Sequence, residues 1–139
     1  MKTVAVVDGL GGGIGVQLVE RFRREGIADL ELIALGTNAV ATQRMVEAGA
    51  DRGASGENAF RVSLARADFI IGPIGIILPD SMMGEVSADM CQAVLNAPGK
   101  RILLPLNQSH ILIAGMAQKN LSELVENALA LLTAELAKT

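Results

Sequence analysis

The sequence predicts an α/β domain, a three-layer sandwich built on a mostly parallel sheet. Short apolar runs alternate with stretches of helical periodicity along the chain, the pattern of successive βα units. The first run, Thr3 to Val7, is almost wholly apolar, as a strand covered on both faces is. A length of 139 residues suits one domain, 1–139, large enough to bury about two thirds of its unfolded surface.

The first strand, Thr3 to Val7, ends at Asp8 and is followed by a helix from about Gly13. That helix turns Ile14, Leu18 and Phe22 inward and Glu20, Arg21, Arg23 and Arg24 outward, with Gly26 as its stop. Leu30 to Leu35 reads as the second strand; Gly36, Thr37 and Asn38 lead into a helix from Ala39 to Ala48, with Gly49 behind it. Arg52 to Gly56 reads as a Gly-rich loop, Phe60 to Ala65 as a helix, and Phe69 to Ile71 as a strand. GPIGIILPDSMMGE is too broken for one element. A helix over Glu85 to Leu95 follows, with Asp80, Ser81 or Ser87 as candidate caps and Pro98-Gly99 ending it.

RILLPLNQSHILIAG holds two apolar runs split by Asn107, Gln108 and Ser109, too short a break for a parallel crossover. If both runs are strands they form an antiparallel hairpin, with Pro105 at an edge or a strand end. Leu121 to Leu136 carries one broad apolar stripe and reads as a long covering helix.

Twelve Lys and Arg against fifteen Asp and Glu give a net charge of −3, and the aromatics are three Phe alone. No basic field holds a nucleic-acid backbone and no stacking platform holds single-stranded bases, so nucleic acid is excluded as a partner. The longest apolar segment, Phe69 to Pro79, is broken by Gly and Pro and falls short of the roughly 20 residues of a membrane span. With no signal-peptide pattern at the start, a lone Cys91 and a single His110, the expected setting is cytoplasmic, without a disulfide or a His/Cys metal site.

The most informative stretch is VDGLGGGIG, Val7 to Gly15, with five glycines in seven positions directly after the first strand. Ordering each glycine costs roughly 0.5–1 kcal/mol relative to alanine, so tight turning or a ligand close to the backbone must offset it. A helix N-terminus after a strand presents free N–H groups to an anion, phosphate first. Neither GxGxxG nor the Walker A pattern is met. What fits is GxxxGxG, on Gly9, Gly13 and Gly15 with Ile14 between the last two. Asp8 complicates that site: a carboxylate about 6 Å from a phosphate opposes it by roughly 3 kcal/mol at an effective dielectric near 20. It must point away, accept loop N–H groups, or share a divalent cation with the ligand.

The GxxxGIG spacing resembles the cofactor loop of the short-chain dehydrogenase/reductase family, over about the first 45 residues, and implies a Rossmann-like fold. That family's catalytic Tyr has no counterpart, since the chain contains no Tyr. Over its full length the sequence is similar to a small bacterial family of unknown function that starts with a VDGxGGGIG-like segment.

The expected function is binding of a nucleotide-type ligand, NAD(P) or another nucleotide, across the C-terminal ends of the strands. Asp8, Gly9, Leu10, Gly11, Gly12, Gly13, Ile14 and Gly15 form the phosphate loop, Thr37 and Asn38 stand at the ribose or cap a helix, and Gly72, Pro73, Ile74 and Gly75 flank the rest. The neutral Thr37 and Asn38, where an acidic residue usually meets the ribose, point toward NADP or a mononucleotide. One rival is a small-molecule enzyme using Asp8, Asp80, Ser81 or His110; for Asp80, Ser81 and Glu85 helix capping is the favoured reading over catalysis. Another is a non-catalytic subunit, a homodimer joined through IGIIL or the hairpin edge.

Overall fold

The computed structural model describes residues 1–106 and 110–139. Five strands form one parallel sheet: β1 (Lys2–Asp8), β2 (Leu30–Gly36), β3 (Arg52–Ser55), β4 (Phe69–Pro73) and β5 (Lys100–Leu104). Between and after them run α1 (Gly13–Glu25), α2 (Ala39–Glu47), α3 (Glu57–Leu64), α4 (Ala88–Asn96) and α5 (Leu121–Leu136). In space the strands lie in the order β3-β2-β1-β4-β5, that of Rossmann-type doubly wound sheets. The chain winds outward from β1 to β3, then crosses back to start again at β4. β1 and β4 are therefore neighbours whose following loops diverge, which opens a crevice at their C-terminal ends.

Strand alternation divides the core. Val4, Val6, Leu32, Ala34, Phe69 and Ile71 pack against α1, α2 and α5, while Ala5, Val7, Ile33, Leu35 and Ile70 pack against α3 and α4. Phe22 anchors one side and Phe60 the other; burying a side chain of this size stabilises by about 1.5–3 kcal/mol. The helix ends follow their local chemistry. Gly26 adopts φ 71° and donates its N–H to the Arg23 carbonyl, ending α1, and the side chains of Asn38, Ser87 and Asn120 each accept an N–H from the first turn of α2, α4 and α5.

Three expectations are corrected. Arg52–Ser55, read as a loop, is edge strand β3. It has little apolar character because its ladder is supplied by β2 and its Gly53 lies under Thr42 and Val46, where a Cβ would come within 2.7 and 2.9 Å of their methyl groups. The antiparallel hairpin is not seen among the described residues. Its turn, Asn107 to Ser109, lies outside the described residues, but Ile111, Leu112 and Ile113 are 36, 97 and 41% exposed and form no strand. Its packing face is already taken, since α5 covers β5. Pro105 follows the last residue of β5, a strand end as expected. Finally, α4 begins three residues later than Glu85, at Ala88 behind its Ser87 cap, which leaves Glu85 in the preceding turn.

IGIIL is only partly exposed, at Ile74, Ile77 and Leu78. Ile74–Ile77 is a short 3-10 turn whose Ile76 is buried in the α3/α4 side of the core. Among the described residues no helix is long and apolar enough to cross a membrane.

Candidate functional site

The glycine loop joins β1 to α1 at the crevice. Asp8, 2% exposed, stands beneath it and accepts the N–H groups of Gly9 and Gly15, each at 2.8 Å. The loop-bracing alternative for Asp8 is thus the one observed. Burial pushes its carboxyl above the usual range, the Gly15, Gly9 and Ile14 N–H groups pull it back, and Glu85 adds a small upward push.

The five glycines separate into two classes. At Gly9 a Cβ would lie 2.5 Å from Thr37 Oγ1 and 2.7 Å from Met82 Sδ; at Gly15 it would strike Met45 and come within 3.1 Å of Asp8 Cβ. Gly12 has φ 73° and backs onto the Ala41 backbone. These three are demanded by packing and backbone geometry. Gly13 is not: it is exposed, helical, and a Cβ there meets nothing within 4 Å. Gly11, also exposed, faces only the mobile end of Arg44, whose guanidinium donates to the Gly11 carbonyl. Among the described residues no acceptor meets the N–H of Gly11 or of Gly13. Two unexplained glycines with free donors sit at the mouth of the crevice.

Thr37 and Asn38 follow β2. Asn38 caps α2, its Oδ1 accepting from Ala41 N at 2.8 Å, and its Nδ2 donates to the Leu10 carbonyl at 2.9 Å. Both residues also meet Glu85. A single oxygen of that carboxylate, Oε1, accepts from Thr37 Oγ1 at 2.6 Å, Asn38 Nδ2 at 2.7 Å and Leu10 N at 2.9 Å. The Thr37 hydroxyl and the Leu10 N–H hold the Glu85 carboxyl below its ordinary range. Glu85 reaches them from a tight turn in which Asp80, Met82 and Met83 have φ of 70, 57 and 59° and Gly84 has 89°. Each such non-glycine residue costs roughly 1–2 kcal/mol, so the turn is held by its surroundings, including the Asp80 N–H to Val86 carbonyl bond at 2.7 Å.

Beyond β4, Gly72 is structural: a Cβ would fall on the Val7 carbonyl oxygen and force β1 and β4 apart. Pro73 and Gly75 are buried, while Ile74 is partly exposed. It shares an open cleft of about 550 Å³ with Ile14, Leu106, Ile113, Met116 and Lys119, which continues the crevice from the first turn of α1 toward α5. Other hollows, along β2 and β3 and between α3 and α4, touch no residue of the glycine loop.

The residues named for catalysis are not brought into one network. The Ser81 hydroxyl donates to the Leu78 carbonyl at 2.6 Å, His110 is exposed, and no hydrogen bond among the described residues links either to Asp8 or Asp80. No group of three or more His, Cys, Asp or Glu among the described residues has a metal-binding arrangement. Cys91 is a buried core residue, and burial raises its thiol. Glu85 and Arg44 are the site residues that sequence reasoning did not place there. Arg44 sits in the second turn of α2, where it reads as an ordinary exposed cation, and Glu85 reads as a helix cap.

The sequence family described as "Domain of unknown function (DUF3842)" matches residues 3–137. The chain belongs to that family. No curated protein matches the DUF3842 chain in sequence. Among solved structures it is similar to AibC, at 20% identity and a TM-score of 0.49, over 91% of this chain and 34% of that one. It is also similar to a dodecameric FMN-dependent UbiX-like decarboxylase from Escherichia coli O157:H7, at 20% identity and a TM-score of 0.47, over 91% of this chain and 74% of that one. The DUF3842 chain thus spans about a third of the AibC chain it matches.

Proposed function

We propose that this protein binds an extended nucleotide-type ligand, a nicotinamide dinucleotide first, across the C-terminal ends of β2, β1 and β4. The observation that carries the reading is Gly13: no turn and no neighbour requires a glycine there, and it lies with a free N–H at the first helical position beside the strand-order reversal. A diphosphate over Gly11, Gly12 and Gly13 takes the two free N–H groups, with the Arg44 guanidinium as counter-charge. Asp8 stays beneath the loop, its charge spent on Gly9 and Gly15, rather than meeting the ligand. A ribose lies toward Thr37 and Asn38, and a ring enters the cleft between Ile14 and Ile74.

Isothermal titration against NAD, NADP, ADP and FMN tests this. Binding of at least one of the four, weakened about tenfold or more by Gly13→Ala in a variant that still folds, is expected, because a Cβ holds the phosphate off the N–H groups. No heat and no thermal shift with any of the four sinks the proposal.

A further inference from the structure

The neutral pair Thr37 and Asn38 leaves the end of β2 without an acidic residue of its own, yet a carboxylate stands there. Glu85, 48 positions from Thr37 and 75 from Leu10 in sequence, is delivered to that spot by the turn before α4. Its hydrogen bonds are one-sided. Oε1 is saturated by Leu10 N, Thr37 Oγ1 and Asn38 Nδ2, while Oε2 has no partner among the described residues. An oxygen held rigidly through its twin and left open is suited to accept from a hydroxyl, and its negative charge repels a second anion.

We infer that Glu85 is the ribose acceptor of this site and its specificity-determining residue, selecting a nucleotide with free 2′- and 3′-hydroxyls and rejecting one that carries a 2′-phosphate. The inference rests on the nucleotide reading above and reverses the expectation that Thr37 and Asn38 alone would lead to. A sugar hydroxyl donates to Oε2; a 2′-phosphate brings up to two negative charges against a carboxylate that Thr37 and Asn38 hold in place. Arg44 does not cancel that repulsion, since it donates to Gly11 on the phosphate loop and forms no ion pair with Glu85 among the described residues. Its charge serves the diphosphate of either nucleotide alike.

The test is titration of NAD and NADP into the wild-type protein, Glu85→Gln and Arg44→Gln, with circular dichroism to confirm folding. The wild type is expected to bind NAD about tenfold or more tighter than NADP, a ratio that shrinks as salt is raised. Glu85→Gln is expected to weaken NAD about tenfold and bring the two nucleotides to within about threefold of each other. Arg44→Gln weakens both without changing their ratio. Equal or tighter binding of NADP by the wild type overturns the inference, and so does an unchanged ratio in Glu85→Gln. Tighter binding of both nucleotides by Glu85→Gln also overturns it, showing the carboxylate to be a plug over the Thr37 and Asn38 donors. If Glu85→Gln does not fold, the wild-type preference and its salt dependence decide. Binding of FMN but of no ribose-bearing nucleotide refutes the inference alone; binding of none of the four refutes the nucleotide reading as well.

Discussion

Gly13→Ala and Gly15→Ala differ by two positions on one helix turn and are expected to move stability in opposite directions. At Gly13 the added methyl meets nothing within 4 Å and the backbone is already helical, so the change removes unfolded-state freedom at no steric cost. That stabilises by about 0.4–1 kcal/mol, a rise in Tm of about 1–4 °C for a chain of this size. At Gly15 the methyl strikes the Met45 thioether and comes within 3.1 Å of Asp8 Cβ, on a residue whose N–H is given to Asp8. Met45 is fully buried and has no open side to retreat to, so about 1–3 kcal/mol is lost. Urea denaturation of both variants with m held common reads the two shifts directly. Loss of stability in Gly13→Ala, or none in Gly15→Ala, refutes the assignment of one glycine to ligand approach and the other to packing.

Further predictions follow from the same geometry. Gly72→Ala drives a methyl onto the Val7 carbonyl between two central strands, and a loss of about 3 kcal/mol or more is expected in denaturant titration; a near-neutral result refutes the close β1–β4 approach. Asp8 is raised by burial, so its ionisation opposes folding. Its contribution is intact below the unfolded carboxyl pKa and is lost as pH rises through the higher folded value, so the stability of Asp8→Asn relative to wild type is expected to climb as pH rises above the unfolded carboxyl value; a flat or falling difference refutes that sign. Asp51 is the opposite case, lowered first by the Leu32 N–H and also by Arg23. Its contribution is present above the unfolded value and lost as pH falls through the folded one, so Asp51→Asn is expected to cost more stability at pH 7 than at pH 3. The Cys91 thiol, 3% exposed, is expected to react with a thiol reagent only at the rate of unfolding; prompt reaction in native buffer refutes its burial.

The strands of the sheet interior were legible because their own side chains carry the signal: β1, β2 and β4 are buried on both faces and read as apolar runs. β3 was not, because an edge strand of four residues takes its conformation from the β2 ladder rather than from its own composition. The hairpin failed for the converse reason. Ile111, Leu112 and Ile113 have the composition of a strand and no face to cover, since α5 already lies on β5. Of the site, the glycine spacing and the positions of Thr37 and Asn38 were readable, and the sorting of glycines into three that packing requires and two that it does not was invisible without the neighbours Thr37, Met45 and Ala41.

Sequence alone determined the first two βα units and the glycine loop after β1, because periodicity, glycine spacing and chain adjacency are local properties; which of its open roles Asp8 takes was decided by the fold. Tertiary structure decided the strand order that opens the crevice and the arrival of Glu85 beside Leu10, Thr37 and Asn38. That second meeting joins segments 47 to 75 residues apart, and a contact of that span exists only once the sheet has set which loops share an edge. Glu85 was present in the sequence throughout, in a segment that nothing local connects to the glycine loop or to the end of β2.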